Sequence, residues 1–219
     1  QAPAGVVCMT PGVVVPPPDG YKLCVGGVTC HGAEPNRGVD ATVAAAAIVM
    51  NLQTIASREF SPLEPVVVTV GSLHSGTRFN VVSNHAELEG TVRLFDEEMH
   101  RQIPGMMERI AKDTASAFRC TASLEYNLLC DMLVNEPEMT AIATGAIEKV
   151  VGAGNVAPFR RTMGGEDFSA YTHIIPCAFA GLGGGGEAPQ HSDMFCIDET
   201  AMENGTATYA QVAWDYLNG

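Results

Sequence analysis

The sequence has 219 residues, 46% of them hydrophobic and 17% charged, which is enough for one large or two small domains and excludes general disorder. Its formal net charge of −13 excludes nucleic acids and anionic membranes as main partners, because both require a basic protein surface. The seven cysteines include no C-x-x-C pair, which predicts reduced thiols in a cytoplasmic protein rather than a disulfide scaffold.

Residues 1–20 contain two short apolar runs separated by prolines, and they end in Pro16-Pro17-Pro18. This pattern predicts an extended connecting segment. The start at Gln1, without an initiator methionine, suggests a fragment or a processed product. No signal peptide is recognisable, and the longest apolar run, residues 41–50, is too short to cross a bilayer.

Residues 21–131 alternate regularly between strand-like and helix-like patterns. The predicted strands are residues 21–29, 66–73, 85–94 and 122–128, and the predicted helices begin after Asp40 and Asp96. Pro104-Gly105 is expected to kink or split the second helix. The order β-α-β-β-α-β predicts a ferredoxin-like domain, which has a four-stranded antiparallel sheet and two helices on one of its faces.

Residues 132–219 have a different character. They predict a helix over 138–151, short strands at 156–160 and 177–181, and a closing helix over 198–217. Because two or three strands and two helices make a poor domain, this segment is expected to be half of an α/β domain whose other half lies upstream. The fold class is therefore α/β (α+β), with two different domains.

A glycine-rich stretch, Gly181-Leu-Gly-Gly-Gly-Gly186, matches the pattern G-x-G-x-x-G. A dinucleotide site is not predicted here, because Pro189 and a loop follow where that site needs the start of a helix. A backbone-amide cradle for a small anion is the favoured alternative.

Two loop histidines are candidates for chemistry. His191 could be a zinc ligand, although its spacing alone favours a surface histidine, and His31 could act as a general acid or as an oxyanion donor, although a solvated loop histidine is commoner. From the residues alone, Arg93 fits a salt-bridged sheet face with neighbouring glutamates, Asn80 a turn and Glu166 a helix cap. No serine-hydrolase elbow, phosphate-binding loop or H-E-x-x-H motif is present.

Six segments resemble, in chain order, those of a known family. They are Val28-Thr-Cys-His-Gly-Ala-Glu-Pro35 with Gly38-Val-Asp40, Leu63-Glu-Pro-Val-Val-Val-Thr-Val-Gly71, Phe79-Asn-Val-Val82, Glu87-Leu-Glu-Gly-Thr-Val-Arg93, Met163-Gly-Gly-Glu-Asp-Phe168 and Gln190-His-Ser192. The family is the zinc-dependent aminoacylase and carboxypeptidase family, in its amidohydrolase branch of hippurate hydrolases and N-acyl-amino-acid hydrolases. The chain resembles only the C-terminal part of such an enzyme.

The resemblance implies a domain plan and a set of site residues. Residues 21–131 would be the lid and homodimerisation domain, residues 1–20 a connecting segment of the catalytic domain, and residues 132–219 its C-terminal part. His31 would stabilise the oxyanion in a neighbouring subunit's active site, and His191 would be the C-terminal metal ligand. The implied substrate contacts are Asn80 and Arg93, which would hold a carbonyl or carboxylate, and Gly164, Gly165 and Glu166, which would line the pocket wall.

The chemistry implied by the resemblance is hydrolysis of the amide bond in a small N-acyl amino acid or peptide. Two divalent metal ions would be needed, zinc first and manganese or cobalt as alternatives, and a metal-bound water would attack the carbonyl. The upstream metal ligands and the general base are not in this sequence, so we expect the chain alone to be inactive and to hold no metal. The alternatives are a non-enzymatic dimerisation module and a carboxypeptidase or dipeptidase of the same superfamily.

Overall fold

The structure is a computed structural model, and it describes residues 2–219, which form a mixed α/β chain. The strands are β1 (Val7–Cys8), β2 (Gly12–Val15), β3 (Asp19–Gly26), β4 (Cys30–His31), β5 (Val66–Ser75), β6 (Val81–Val82), β7 (His85–Leu94), β8 (Thr121–Asn127), β9 (Leu133–Asn135), β10 (Val156–Ala157) and β11 (Gly181–Leu182). The α-helices are α1 (Ala41–Thr54), α2 (Glu97–Ala117), α3 (Pro137–Val151), α4 (Ser169–Thr172) and α5 (Ala201–Asn218). Short 3-10 helices lie at Pro35–Arg37 and Ala153–Asn155, and a π-helical turn lies at Ile55–Glu59.

The chain divides into two compact units. The central unit consists of Pro16–Asp131 together with Met163–Gly165, and the terminal unit consists of the segment up to Val15, Met132–Thr162 and Glu166–Gly219. Within residues 2–219, no helix is both long enough and apolar enough to cross a membrane.

The central unit is built on a four-stranded antiparallel sheet with the strand order β5-β7-β3-β8. Its strands and helices follow each other along the chain as the sequence predicts. Leu23 of β3 lies opposite Leu88 of β7 on one side and Leu124 of β8 on the other, so inward-facing side chains line up across the sheet. The unit also contains the short antiparallel pair β4–β6, which the sequence pattern does not predict.

One face of this sheet carries the core of the central unit. Leu23 and Leu88 are fully buried in the same cluster as Ile48 of α1 and Met107 of α2, so both helices cover the same face. The opposite face is polar. There the ammonium group of Lys22 lies 2.8 Å from the carboxylate of Glu87, and this hydrogen bond lowers the pKa of Glu87.

The helix starts follow the sequence, but one predicted break does not occur. The side chain of Asp40 accepts hydrogen bonds from the amides of Thr42 and Val43, and that of Asp96 accepts one from the amide of Met99. Helix α2 runs unbroken through Pro104, so the predicted splitting is wrong. A proline inside a helix costs about 3 kcal/mol. Here the buried stripe of α2, which includes Met107, packs on the sheet and offsets that cost.

The terminal unit contains a three-stranded sheet with the order β10-β1-β11 and an antiparallel pair of β2 with β9. Its predicted strands are shorter than the sequence suggests, and its last helix begins at Ala201. The buried side chain of Asn135 holds three segments together. Its amide nitrogen donates to the carbonyls of Thr10 and Phe179, and its oxygen accepts from the amide of Phe179 at 2.6 Å.

Candidate functional site

His31 and Asn80 are brought together by the β4–β6 pair of the central unit. His31 lies opposite Val81, and the amide of Gly32 donates to the carbonyl of Asn80 at 2.8 Å. A Cβ atom on residue 32 would lie 2.9 Å from that carbonyl oxygen, so the close approach requires glycine. Two residues that are far apart in the sequence therefore occupy one exposed surface, which we call the histidine tip and define as His31, Phe79 and Asn80.

The ring of His31 is held in a defined tautomer. Its Nδ1 accepts a hydrogen bond from the amide of Ala33 at 3.1 Å. In the neutral imidazole the proton must then be on Nε2, because one ring nitrogen donates when the other accepts. Within residues 2–219 Nε2 has no hydrogen-bond partner, and the residue is exposed. His31 thus offers an N–H donor to a ligand, which is what stabilisation of an oxyanion needs.

The backbone around the histidine tip is firmly hydrogen-bonded. The hydroxyl of Thr29 donates to the carbonyl of Val82 at 2.8 Å, and the amide of Gly27 donates to the carbonyl of Asn84 at 2.8 Å. A turn is closed by a bond from the amide of Val81 to the carbonyl of Arg78, and it has Phe79 and Asn80 at its centre. The side chains of the tip are therefore presented by a fixed frame.

Arg93 lies at a different place in the central unit. It stands on the polar face of β7 opposite Val67, and its Nη1 donates to the carbonyl of Met163 at 2.8 Å. This contact brings Arg93 to the segment that contains Gly164 and Gly165. A Cβ atom on Gly165 would lie 2.6 Å from the ring of Pro18, so that glycine is also required by packing. The predicted salt bridge on this polar face joins Lys22 to Glu87, whereas Arg93 bonds to the backbone of Met163.

The histidine tip and Arg93 lie at opposite ends of the sheet. The tip adjoins the beginning of β7, where His85 lies opposite Gly26, and Arg93 is eight residues further along that strand. At about 3.3 Å per residue, this corresponds to roughly 26 Å along β7. One copy of the central unit does not gather His31, Asn80 and Arg93 around a single small substrate.

The remaining predicted residues belong to the terminal unit. His191 is exposed in a turn with φ of 61°, a left-handed conformation, and Glu166 accepts a hydrogen bond on Oε1 from the amide of Phe168 at 3.2 Å. Over residues 2–219 no group of three or more His, Cys, Asp or Glu side chains is arranged to hold a metal ion. A metal site needs several such ligands, so the residues present do not form one, and His191 offers a single imidazole.

The glycine run has a structural role in the terminal unit. The amide of Gly183 donates to the carbonyl of Val6 at 2.7 Å, and its carbonyl accepts from the amide of Gly5 at 2.9 Å. The predicted anion cradle is therefore wrong at Gly183, because that amide is already used. The next helix begins only at Ala201, which agrees with the rejection of a dinucleotide site.

The central unit contains a buried polar cluster that no sequence pattern indicates. Asp19 is fully buried, and its Oδ2 accepts from the hydroxyl of Tyr126 at 2.7 Å and lies 2.5 Å from Nε2 of His100. Burial and the hydrogen bond to Asp19 raise the pKa of Tyr126 strongly. Asp19 directly follows the three prolines and resembled an ordinary turn residue. No local signal links it to partners that are 81 and 107 positions away.

Comparison with known proteins gives a consistent result. The family model described as peptidase family M20/M25/M40 matches residues 8–215. N-acetyl-L-cysteine deacetylase of Bacillus subtilis is 32% identical over 90% of this chain and 47% of its own length. A solved structure from methicillin-resistant Staphylococcus aureus, described as an aminohydrolase, superposes with a TM-score of 0.92 at 32% identity and covers 99% of this chain and 57% of that one.

A second solved structure, a dinuclear metal-binding peptidase of the M20 family from Bacillus subtilis, has a TM-score of 0.82 at 25% identity and covers 97% of this chain and 53% of that one. The chain thus spans about half the length of the curated relatives it matches, between 47% and 56% of theirs.

Proposed function

The chain belongs to peptidase family M20/M25/M40, and on this basis we propose that it is the C-terminal part of a metal-dependent amidohydrolase that cleaves the amide bond of N-acyl amino acids or similar small amides. The observation that carries the proposal is the histidine tip, where a histidine with a defined tautomer presents a free Nε2–H beside Asn80. The deacetylase relative supports the substrate class. Zinc, the hippurate-hydrolase branch and the cytoplasmic location are part of the proposal.

In this proposal His31, Asn80 and Arg93 of the central unit each have one role. The Nε2–H of His31 donates to the oxygen of the scissile carbonyl as negative charge develops on it. The amide of Asn80 donates to a carbonyl or carboxylate of the substrate. Arg93 binds the carboxylate of the amino acid, since a guanidinium has five N–H donors and can keep its bond to Met163 while it binds a ligand.

The metal centre of the proposed enzyme lies mainly outside this chain. Two divalent ions, zinc or alternatively manganese or cobalt, would activate water for the reaction. The dinuclear relative supports their number. His191 would supply one ligand, and the other ligands and the general base would come from upstream residues. The polypeptide of residues 1–219 alone is therefore expected to be inactive.

We further propose that the enzyme is a homodimer through the central unit, which would act as a ferredoxin-like lid. The roughly 26 Å along β7 from His85, next to the histidine tip, to Arg93 supports this, because a second copy could bring its own tip to the Arg93 end of the first. The test uses His31→Ala and Arg93→Ala variants of the complete protein, which contains this chain and the upstream half. Each variant alone should be inactive.

Mixing the two variants and allowing the subunits to exchange should restore about one quarter of the unmutated activity. Half of the dimers are then mixed, and one of the two sites in each mixed dimer is intact. Activity that stays at the level of the single variants, although native mass spectrometry shows mixed dimers, would rule out sharing of the site between copies.

The hydrolytic function itself is tested by incubating the metal-loaded complete protein with N-acetyl and N-benzoyl amino acids and with dipeptides. Release of the free amino group, abolished by a chelator and restored by zinc, is the expected result. Cleavage of dipeptides only would favour the peptidase alternative. No cleavage of any substrate by a folded, metal-loaded protein would favour the second candidate, a non-enzymatic dimerisation module.

A further inference from the structure

Phe79 is the most exposed large apolar side chain of the described residues, at 104% relative exposure. It lies in the centre of the Arg78–Val81 turn, a position where Gly, Pro, Asn, Asp and Ser dominate because they suit turn geometry or bond to the local backbone. Isolated exposed apolar residues are common on protein surfaces. The position of Phe79 is informative because of what surrounds it.

The turn that carries Phe79 is held from both sides. The amide of Gly32 donates to the carbonyl of Asn80 at 2.8 Å, and the hydroxyl of Thr29 donates to the carbonyl of Val82 at 2.8 Å. The aromatic ring therefore projects from a frame that does not need it for its own packing. Losing the ring should leave the fold intact, so any effect of its removal reports on a ligand or partner.

The polar neighbours of Phe79 indicate the kind of ligand. Asn80 follows it in the same turn, and the strand that carries His31 with its Nε2–H is paired to the turn by β4–β6. Small-molecule sites typically combine apolar or aromatic surface with a few polar groups that fix orientation. The backbone pairing thus brings an exposed aromatic residue and two residues with N–H donors to one turn and its partner strand. This combination matches a ligand whose amide carbonyl carries an apolar substituent.

We propose that Phe79 is a specificity-determining residue that packs against the apolar acyl group of the substrate. The enzyme then prefers N-acyl amino acids with acyl groups larger than acetyl, such as hexanoyl or benzoyl. This inference rests on the proposed amidohydrolase function and adds the substrate class. The occupant is the acyl group because its carbonyl is the atom group that His31 and Asn80 would hold.

The test compares kcat/KM of the complete, metal-loaded protein for N-acetyl and N-hexanoyl derivatives of the same amino acid. Phe79→Ala is expected to lower kcat/KM about 10- to 100-fold for the hexanoyl substrate and less than about threefold for the acetyl substrate. Phe79→Leu should keep most of the preference. The matched control is Leu63→Ala, which removes another exposed apolar side chain (88% exposed) of the central unit. It should leave kcat/KM unchanged for both substrates.

The possible outcomes distinguish the specificity role of Phe79 from the proposed amidohydrolase function. If Phe79→Ala lowered kcat/KM equally for the acetyl and hexanoyl substrates, the specificity role would be overturned. Equal losses together with a smaller dimer fraction in analytical ultracentrifugation would assign Phe79 to the contact between copies instead. An unmutated protein that cleaves acetyl and hexanoyl substrates equally well, with Phe79→Ala unchanged, would refute the acyl contact and leave the amidohydrolase function standing. An unmutated protein that cleaves neither would overturn both.

Discussion

Removal of the carboxyl group of Asp19 should destabilise the central unit strongly. Asp19 is fully buried, and its Oδ2 is shared by the hydroxyl of Tyr126 and Nε2 of His100, whose side chain is only 12% exposed. Asp19→Ala leaves both partners without an acceptor. Each orphaned polar group costs about 1–3 kcal/mol, so losing the acceptor of both partners costs about 2–6 kcal/mol. We therefore expect a loss of about 2–6 kcal/mol in the free energy of unfolding.

Two further variants identify the cause of that loss. Asp19→Asn keeps the volume and one acceptor oxygen, so it should cost clearly less than Asp19→Ala. Asp113→Ala removes an exposed carboxylate of α2 and should change stability by at most about 0.5 kcal/mol. Urea unfolding of the 219-residue chain, followed by circular dichroism at pH 7, measures all three.

The reasoning about Asp19 would be refuted by a cost below about 1 kcal/mol for Asp19→Ala. It would also be refuted if Asp19→Ala were additive with Tyr126→Phe in a double-mutant cycle, because residues that share a hydrogen bond should couple.

Three other results are expected. Burial raises the pKa of Tyr21 from 10.0 to about 12. The unfolded state therefore releases this proton first, and stability that is present below pH 10 is lost between pH 10 and about 12, by about 2–3 kcal/mol. Tyr21→Phe should lack this part of the alkaline loss in urea titrations, and a pH profile parallel to that of the unmutated chain would contradict the assignment. Arg93→Lys in the complete enzyme should lower kcat/KM about 100-fold for substrates with a free carboxylate and much less for their carboxamides, because lysine cannot form the bidentate contact; equal losses on both would exclude the carboxylate role. The isolated chain should retain less than one zinc ion per molecule after equilibrium dialysis, since His191 is the one metal ligand that the proposal assigns to it. Stoichiometric retention of zinc would show that the chain holds a metal site of its own.

The helices and long strands of the central unit could be predicted because their signals are local. Asp40 is followed by a run of apolar residues with helical spacing, and the alternation from His85 to Leu94 marks one buried and one polar face. The unbroken run of α2 through Pro104 is not predictable, for the opposite reason. The effect of this proline depends on how firmly the buried face of α2 is packed, which the sequence around it does not contain.

The candidate site was only partly predictable from the residues. The β4–β6 pair has two residues in each strand, too few for a periodic signal, yet it is what sets Asn80 beside His31. The resemblance to a family selected both residues, but it could not give the tautomer of His31. That depends on a single hydrogen bond from the amide of Ala33.

Strand β5, which pairs with β7 along its length, contains a β-bulge between the two ends of β7. The bulge lies between Val70 and Ser72. The buried Val68 lies opposite Val92 before the bulge, and Leu73, which is 38% exposed, lies opposite Leu88 after it. Without the extra residue the inward pattern of β5 would change faces relative to β7, since a shift of one residue turns every side chain over.

Gly90 lies where this bulge begins, and Tyr21 stabilises the position. A Cβ atom on Gly90 would clash with the ring of Tyr21, whose hydroxyl donates to the carbonyl of Thr69 at 3.0 Å. The ring thus covers a glycine in a central strand and bonds to the backbone beside the bulge. Strand β7 therefore keeps one register with β3 along the whole pairing, while β5 shifts its register at the bulge. This packing fixes the separation of the two candidate binding places along β7. That separation supports the proposal that two copies share one site.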